Sequence, residues 1–331
     1  MGEYTKPWLS LDEQVDRLAN QGVDVGARQQ AVALLSAVGY YRLTGYLYPF
    51  RRSEQVEGSD GAAETKILGT YVPGTSLAHI ARVIDFDRDL RTLVLEGVER
   101  VEVAVRMRVG YVLGRRSRFA HEDAATFLPM FTTPQLDETS GWRTRPSKQG
   151  EWLGRVAQRR DGSDEAFVAH FRAKYDNRMP IWALTEILEL GHLSRLYAGL
   201  LDDDALEIAA AFGVPTKKLM ASWLASLNYV RNVAAHHARL FNRKLQYAPK
   251  RPRSGTVPLL EHLRAADPPK EFGVYNALAT IAYLLRSIDP GCDWSARLRA
   301  LIDGFPSEPR LTVASLGVPH DWHSLKLWDH D

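Results

Sequence analysis

The chain has 331 residues, of which 45% are hydrophobic and 25% charged, and its formal net charge is +2. These are the proportions of an ordinary soluble globular protein, long enough to bury a sizeable core. Its one cysteine, Cys292, excludes an intrachain disulfide and a thiolate metal cluster, and no run approaches the roughly 18 apolar residues of a membrane span. Residues 1–14, MGEYTKPWLSLDEQ, lack the apolar core of a signal peptide, so a cytoplasmic location with no membrane partner is expected.

In chain order the sequence reads as nearly all helix. Ser10 and Glu13 have capping-box spacing, and Gly22 stops that helix. Asp24 is expected to cap a second helix running through AVALLSAVGYYRLTGYLYPF. Its GYYRLTGY portion, residues 39–46, carries aromatic and basic side chains able to stack on bases. Tyrosines at helical spacing are also what half-buried packing looks like. The polar, Gly-rich residues 52–69 read as a loop. Thr75 or Ser76 opens a long helix in which Leu77, Ile80, Ile84, Leu90, Leu93, Val94, Val98, Val101 and Val105 recur at helical spacing, with Gly97 as a bend. DFDRDLR, residues 85–91, reads as an internal ion-pair network. Residues 129–150 are irregular and read as a hinge between two lobes, and residues 164–175 suggest a short helix. Pro180 suits the first turn of another, IWALTEILELGHLSRLYAGL. Asp202 is expected to cap a helix ending at Gly213, and Thr216 to start the next. Residues 248–258 do not continue that helix. GVYNALATIAYLLRSI is a further buried helix, and the last 30 or so residues form a Trp-containing strap.

Charge is unevenly spread. No Asp or Glu lies between Ile208 and Leu260, whereas nine Lys and Arg do, so this window carries about +9 and the remainder about −7. A basic tract in an otherwise acidic chain is either the footprint of a polyanion or a partner for the acidic remainder.

Within the tract, NYVRNVAAHHARLFNRK, residues 228–244, has two adjacent histidines and no acid. On a helix running from Thr216 to Lys244, Leu219, Trp223, Leu227, Val230, Ala234 and Phe241 form the buried side. Asn228, Asn232, His236, Arg239 and Arg243 form a second stripe. Arg231 sits between the two, and His237 turns toward the core. Asn and His are poorer helix formers than Lys and Glu, so solubility does not account for the stripe. It offers donors and an imidazole, and no carboxylate to repel a phosphate.

RNVAAHH, residues 231–237, resembles the Arg-Asn-x-x-x-His core of HEPN ribonucleases. More of the chain resembles the Abi family of abortive-infection, phage-resistance proteins. The blocks are LDEQVDRLANQGV, VGYYRLTGYLYPFRR, IDFDRDLRTLVLEGVERVEVAVR, MPIWALTEILELGHLSRLY and VRNVAAHHARLFNR, in the family's order over roughly residues 8–245. A second Arg-to-His spacing, Arg116 to His121 in RSRFAH, lies outside the best-matching blocks and is set aside as chance. As a second half-site it would let one chain act alone.

The resemblance implies an all-α fold, a HEPN-type helical bundle with an N-terminal helical lobe. Residues 1–128 would form that lobe, 129–150 an irregular connection, 151–250 the HEPN-type region with the motif, and 251–331 a C-terminal helix and irregular strap. It implies an endoribonuclease that needs no metal and no cofactor, acting as an abortive-infection or toxin effector in phage defence. RNA is the implied partner, together with a second copy of the chain, since two motifs meet in a composite site. Some relatives work with an antitoxin or a small RNA, and no residue here decides that.

RNA carries its own nucleophile, the 2′-OH. Cleavage needs a base for its proton, a cation for the developing charge and an acid for the leaving 5′-oxygen. His236 is expected to be the acid or base, and Arg231 to hold the scissile phosphate. Asn232, one turn before His236, is expected to orient its ring. His237 is a weaker catalytic candidate. Arg239, Arg243, Lys244, Lys250, Arg251 and Arg253 are expected to track the RNA backbone. On a helix Arg231 and His236 stand about 140° apart, which favours a site shared between two copies. Competing readings are a non-catalytic RNA-binding module, a dimeric interaction protein of the same family, and a phosphate- or nucleotidyl-transfer enzyme, for which no Gly-rich phosphate loop is present.

Overall fold

The computed structural model describes residues 3, 5, 7–57, 62–136, 144–264 and 273–329. The architecture is mainly α-helical, with two small two-stranded sheets among the described residues. The chain divides into two compact units, Met1–Leu90 with Leu301–Val313, and Arg91–Ala300 with Ala314–Asp331. Among the described residues no helix is long and apolar enough to cross a membrane.

In the first unit, α1 (Leu11–Asn20) opens on the full capping box: Glu13 N–H donates to Ser10 Oγ, and Ser10 N–H to Glu13 Oε2. Gly22 then takes a left-handed φ of 93°. Asp24 caps nothing. Its backbone bridges to Ser76, and α2 (Arg28–Val38) begins behind Ala27 with no side-chain cap. The single helix expected next is broken at Gly39, whose φ of 83° and ψ of 144° suit glycine alone, and α3 (Tyr40–Leu47) follows.

GYYRLTGY divides between two fates. Leu43 and Tyr46 are buried whereas Tyr41 is exposed, and Tyr46 donates its hydroxyl proton to Asp87 Oδ2 at 2.6 Å. Asp87 is thereby a core partner, while Asp85 and Arg88 form an exposed pair at 2.6 Å. Within residues 52–69 the described residues are mostly strand and not a loop, and residues 58–61 lie outside the described residues. β1 (Arg51–Glu57) and β2 (Ala63–Tyr71) pair antiparallel from Arg51↔Tyr71 to Glu57↔Ala63. Both strands are largely exposed, so their polar composition is that of a solvated hairpin.

The division between the units falls within α4 (Leu77–Arg116), which runs for 40 residues. Every apolar position read from Leu77 to Val105 is buried. Gly97 makes room for its neighbours: a Cβ there would stand 2.7 Å from Ile281 Cγ2 and 2.8 Å from the Trp294 ring.

In the second unit, the described part of the expected connection holds α5 (Pro129–Thr132), β3 (Gln135–Leu136), β4 (Thr144–Arg145) and the start of α6 (Lys148–Asp161). Residues 137–143 lie outside the described residues. α7 (Ala166–Lys174) follows. IWALTEILELGHLSRLYAGL is not one helix. It gives α8 (Ile181–Leu184), a 3-10 turn at Thr185–Ile187, extended Leu188 and Glu189, and α9 (Leu190–Gly199). After these come α10 (Asp202–Ala210), α11 (Lys217–Ala235), α12 (Val274–Ile288) and α13 (Trp294–Asp303), whose last three residues belong to the first unit. The strap closes on α12: Trp328 Nε1 donates to Tyr275 Oη at 3.2 Å, and Arg286 Nη1 donates to the carbonyls of Lys326, Leu327 and Asp329.

The break before α9 has a local cause. Glu102 of α4, its side chain 11% exposed, accepts from the Leu190 N–H at 3.0 Å and pairs with Arg106. Arg106 Nε donates to the Leu188 carbonyl at 2.8 Å. A carboxylate at a helix N-terminus satisfies an otherwise orphan donor and faces the positive end of the helix dipole. A helix continued through Leu188 would consume those backbone groups. Removing one partner of such a pair leaves the other charge buried and alone. Glu102→Ala is therefore expected to lower stability by about 3 kcal/mol. Glu102→Gln, which keeps an acceptor for Leu190, should lose less. Urea unfolding midpoints of the three chains check the order.

Candidate functional site

α11 begins as its sequence reads: Thr216 Oγ1 accepts from the Leu219 N–H at 3.2 Å. Leu219, Trp223, Leu227, Val230 and Ala234 are buried, as periodicity requires. The helix packs against α9. Gly191 permits the approach, since a Cβ there would stand 3.2 Å from Asn228 Oδ1.

The helix does not reach Lys244. It ends at Ala235, with His236 as C-cap and His237 in the left-handed region at φ 56°. The His237 N–H donates to the Ala234 carbonyl and the Ala238 N–H to the Val233 carbonyl, both at 3.0 Å. This is a Schellman closure with histidine where glycine is common. The expected stripe therefore breaks after His236, and Arg239 and Arg243 lie beyond the helix. Phe241 is buried, but off the helix. His237 does not turn to the core; it and His236 are both exposed.

Arg231 is half-buried, and its Nη1 donates to Asn232 Oδ1 at 3.2 Å. Asn232 thus engages the guanidinium. It does not orient the His236 ring, which has no hydrogen-bond partner among the described residues.

Past the helix the chain turns at Asn242, φ 48°, and runs back along α11. Arg243 Nε donates to Tyr229 Oη at 3.4 Å and its Nη1 to the Arg239 carbonyl at 3.3 Å. The Tyr247 ring meets Tyr229 edge-on at 5.6 Å. Further along, the Lys250 N–H donates to Ser222 Oγ, and Trp223 Nε1 to the Lys250 carbonyl, both at 2.9 Å. The cations after the helix are thereby held beside it. Within the acid-free window Lys217 pairs with Asp202 at 3.1 Å. Arg231, Arg243, Lys244, Lys250, Arg251 and Arg253 form no ion pair among the described residues. The negative end of the α11 dipole faces this region, so any attraction for a phosphate comes from these cations and not from the helix.

Tyr229 and Tyr247 were not singled out by the sequence reading, although aromatic residues interleaved with Arg and Lys are a signal for nucleic acid. A cavity of about 500 Å³ between α5, α6 and α9 was also missed. Lys148, Arg155, Arg195 and Glu151 line it, with Trp152 and Phe131. These residues are dispersed along the chain and leave no local pattern. None of the predicted site residues lines it.

The second Arg-to-His spacing joins a buried histidine to an exposed arginine that is already paired. His121 is 4% exposed and packs edge-on against Phe119 and Trp152. Arg116 pairs with Asp204 at 3.2 Å and donates to the Ala125 carbonyl.

A family profile described as Abi-like protein matches residues 33–242. That span includes Arg231, Asn232, His236, His237 and Arg239. The cations from Arg243 to Arg253 lie beyond it, and LDEQVDRLANQGV precedes it. No curated protein and no solved structure matches the chain.

Burial lowers the His121 pKa to about 4, with Glu122 opposing that shift and Arg178 adding to it. In an unfolded chain the imidazole titrates near 6.5. The folded value is the depressed one, so this group's contribution to stability is complete above about pH 6.5 and is lost as pH falls through about 4. The full difference amounts to roughly 3 kcal/mol. His121→Phe, which fills the aromatic site without a titratable proton, is expected to flatten that part of the acid limb. Unfolding titrations on either side of this window measure it.

Proposed function

The chain belongs to the Abi-like protein family, and from that premise we propose that it is a metal-independent endoribonuclease acting as an abortive-infection effector in phage defence. The observation that carries this reading is the exposed imidazole of His236 at the end of α11, close in sequence to Arg231 and to Arg243, Lys244, Lys250, Arg251 and Arg253, which form no ion pair among the described residues. In the proposed reaction the 2′-oxygen loses its proton to one imidazole and bonds to phosphorus. The bond from phosphorus to the 5′-oxygen breaks, and that oxygen takes a proton from a second imidazole. Arg231 offsets the charge on the phosphoryl oxygens, and Asn232 holds its guanidinium. His237, exposed beside His236, is the lesser candidate for proton transfer. Arg239, Arg243, Lys244, Lys250, Arg251 and Arg253 bind the strand's backbone.

Two imidazoles acting at once call for a second copy, and α4 has a surface that suits one. Val103, Met107 and Tyr111 are 47%, 54% and 61% exposed at successive i,i+4 positions, an apolar stripe turned to solvent. Glu99 precedes the stripe by one turn and Arg115, paired with Glu207, follows it by one. An antiparallel pairing about a two-fold axis at Met107 sets Val103 against the partner's Tyr111 and Glu99 against the partner's Arg115. One contact chain joins this stripe to the motif. Glu102, next to Val103, binds Leu190; Gly191 lies against Asn228; and Asn228 precedes His236 by about two turns.

His236→Ala is expected to lower cleavage of a labelled RNA by about 10²–10⁴-fold while RNA binding persists. Wild-type cleavage should survive EDTA and leave 2′,3′-cyclic phosphate and 5′-hydroxyl ends. Ends bearing a 3′-hydroxyl would overturn the mechanism, and binding without cutting by the wild type would leave a non-catalytic RNA-binding protein.

For the assembly, light scattering should give a dimer mass for the wild type and a monomer mass for Met107→Asp with Tyr111→Asp. A mass unmoved by the double substitution would remove the stripe as the interface.

A further inference from the structure

The first unit contains a cleft of about 560 Å³, and none of the residues assigned to RNA cleavage lies in it. It is bounded by the segment before α1, by α1, by α3 and by the first residue of β1. Two aromatic side chains on its wall are turned to solvent: Trp8 is 85% exposed and Tyr41 78%. Tyr40 stands against Tyr41 edge-on, ring centres 5.8 Å apart at 86°, so the two rings form a corner.

The polar part of the wall is cationic and amidic. Arg17 and Arg51 line it, and neither forms an ion pair among the described residues. Arg51 lies about 6 Å from the ring centres of Tyr48 and Tyr71, and its Nε is buried with no hydrogen-bond partner. The Gln21 amide adds a group that can both donate and accept. No carboxylate belongs to the lining among the described residues. The acids of α1 are engaged elsewhere: Asp12 and Asp16 hold Arg28, and Glu13 closes the capping box with Ser10.

Aromatic faces in water, an amide and two cations, with no acid among the described residues, are complementary to a planar heteroaromatic ring that carries an anionic group. We propose that this cleft binds a nucleotide, its base stacked on Trp8 or Tyr41, its ring edge read by Gln21, and its phosphate held by Arg17 and Arg51. The volume is within the range of small-molecule sites. The nucleotide is either one residue of an RNA strand or a free mononucleotide; both present the same base and phosphate. The inference goes beyond the ribonuclease reading and does not require it, because it concerns binding in the other unit.

The test is a titration followed by tryptophan emission, on the His236→Ala chain so that no strand is cut if that reading holds. The probes are adenosine and uridine 5′-monophosphates and short oligoadenylate and oligouridylate strands. A quench that saturates and vanishes in a Trp8→Phe chain is the expected result. Tyr41→Ala and Arg17→Gln should each weaken binding about tenfold. Both side chains lie at the surface of the cleft, and a thermal melt confirms that each variant is folded. Saturation by mononucleotides identifies a free nucleotide as the ligand; saturation by strands alone identifies RNA. No quench with either probe, or affinities unmoved by Tyr41→Ala and Arg17→Gln, would overturn the proposal. Cleavage assays address the other unit's chemistry, so either proposal can fail while the other stands.

Discussion

In the second unit the start of α9 depends on a buried carboxylate, Glu102. Glu102 cannot be left alone in the interior, because an unpaired charge there costs several kcal/mol. Arg106 and the Leu190 N–H satisfy it, and in doing so they fix where α9 begins. Gly191 follows at once, and its missing side chain lets α11 approach at Asn228. Thus the position of the helix that carries Arg231 and His236 is inherited from a charge on α4, a long way back in the sequence. A single polar commitment in the core sets a helix boundary, a packing distance and the placement of the motif.

The other end of α11 is set by backbone chemistry. Two crossed hydrogen bonds close the helix around His236 and His237, and the second of these residues occupies a left-handed conformation without being glycine. Histidine visits that region more often than most side chains, though at some cost. The consequence is functional geometry. A helix carried on to Lys244 would have spread Arg239 and Arg243 along one face at fixed intervals. The early stop folds the basic segment back beside its own helix, where Ser222, Trp223 and Tyr229 hold it. Arg243 and Lys250 are thereby held beside α11, and neither forms an ion pair among the described residues.

Much of the helical skeleton was legible because its signals are local. The capping box at Ser10, the apolar period from Leu77 to Val105 and the Thr216 cap each depend on residues within a few turns of one another. The errors share a cause too. IWALTEILELGHLSRLYAGL reads as one helix, since what interrupts it is Glu102, 88 residues before Leu190. The stop at His236 contains no Gly or Pro, so nothing in the letters announced it. Residues 52–69 were polar enough to pass for a loop, because a hairpin exposed on both faces has no apolar alternation to betray it. At the candidate site the identities of Arg231, Asn232 and His236 could be read, but their mutual contacts could not. Asn232 turned out to serve the guanidinium and not the imidazole.

Helical class, the buried side of each long helix and the acid-free basic window follow from composition and period alone, since each rests on interactions between near neighbours. Where α9 starts, how α11 ends, which tyrosines of GYYRLTGY enter the core and which line a cleft, and the grouping of Arg51 with Trp8 and Arg17 depend on partners remote along the chain. A side chain's neighbours across space are set by the simultaneous packing of every element, and no window of sequence contains them.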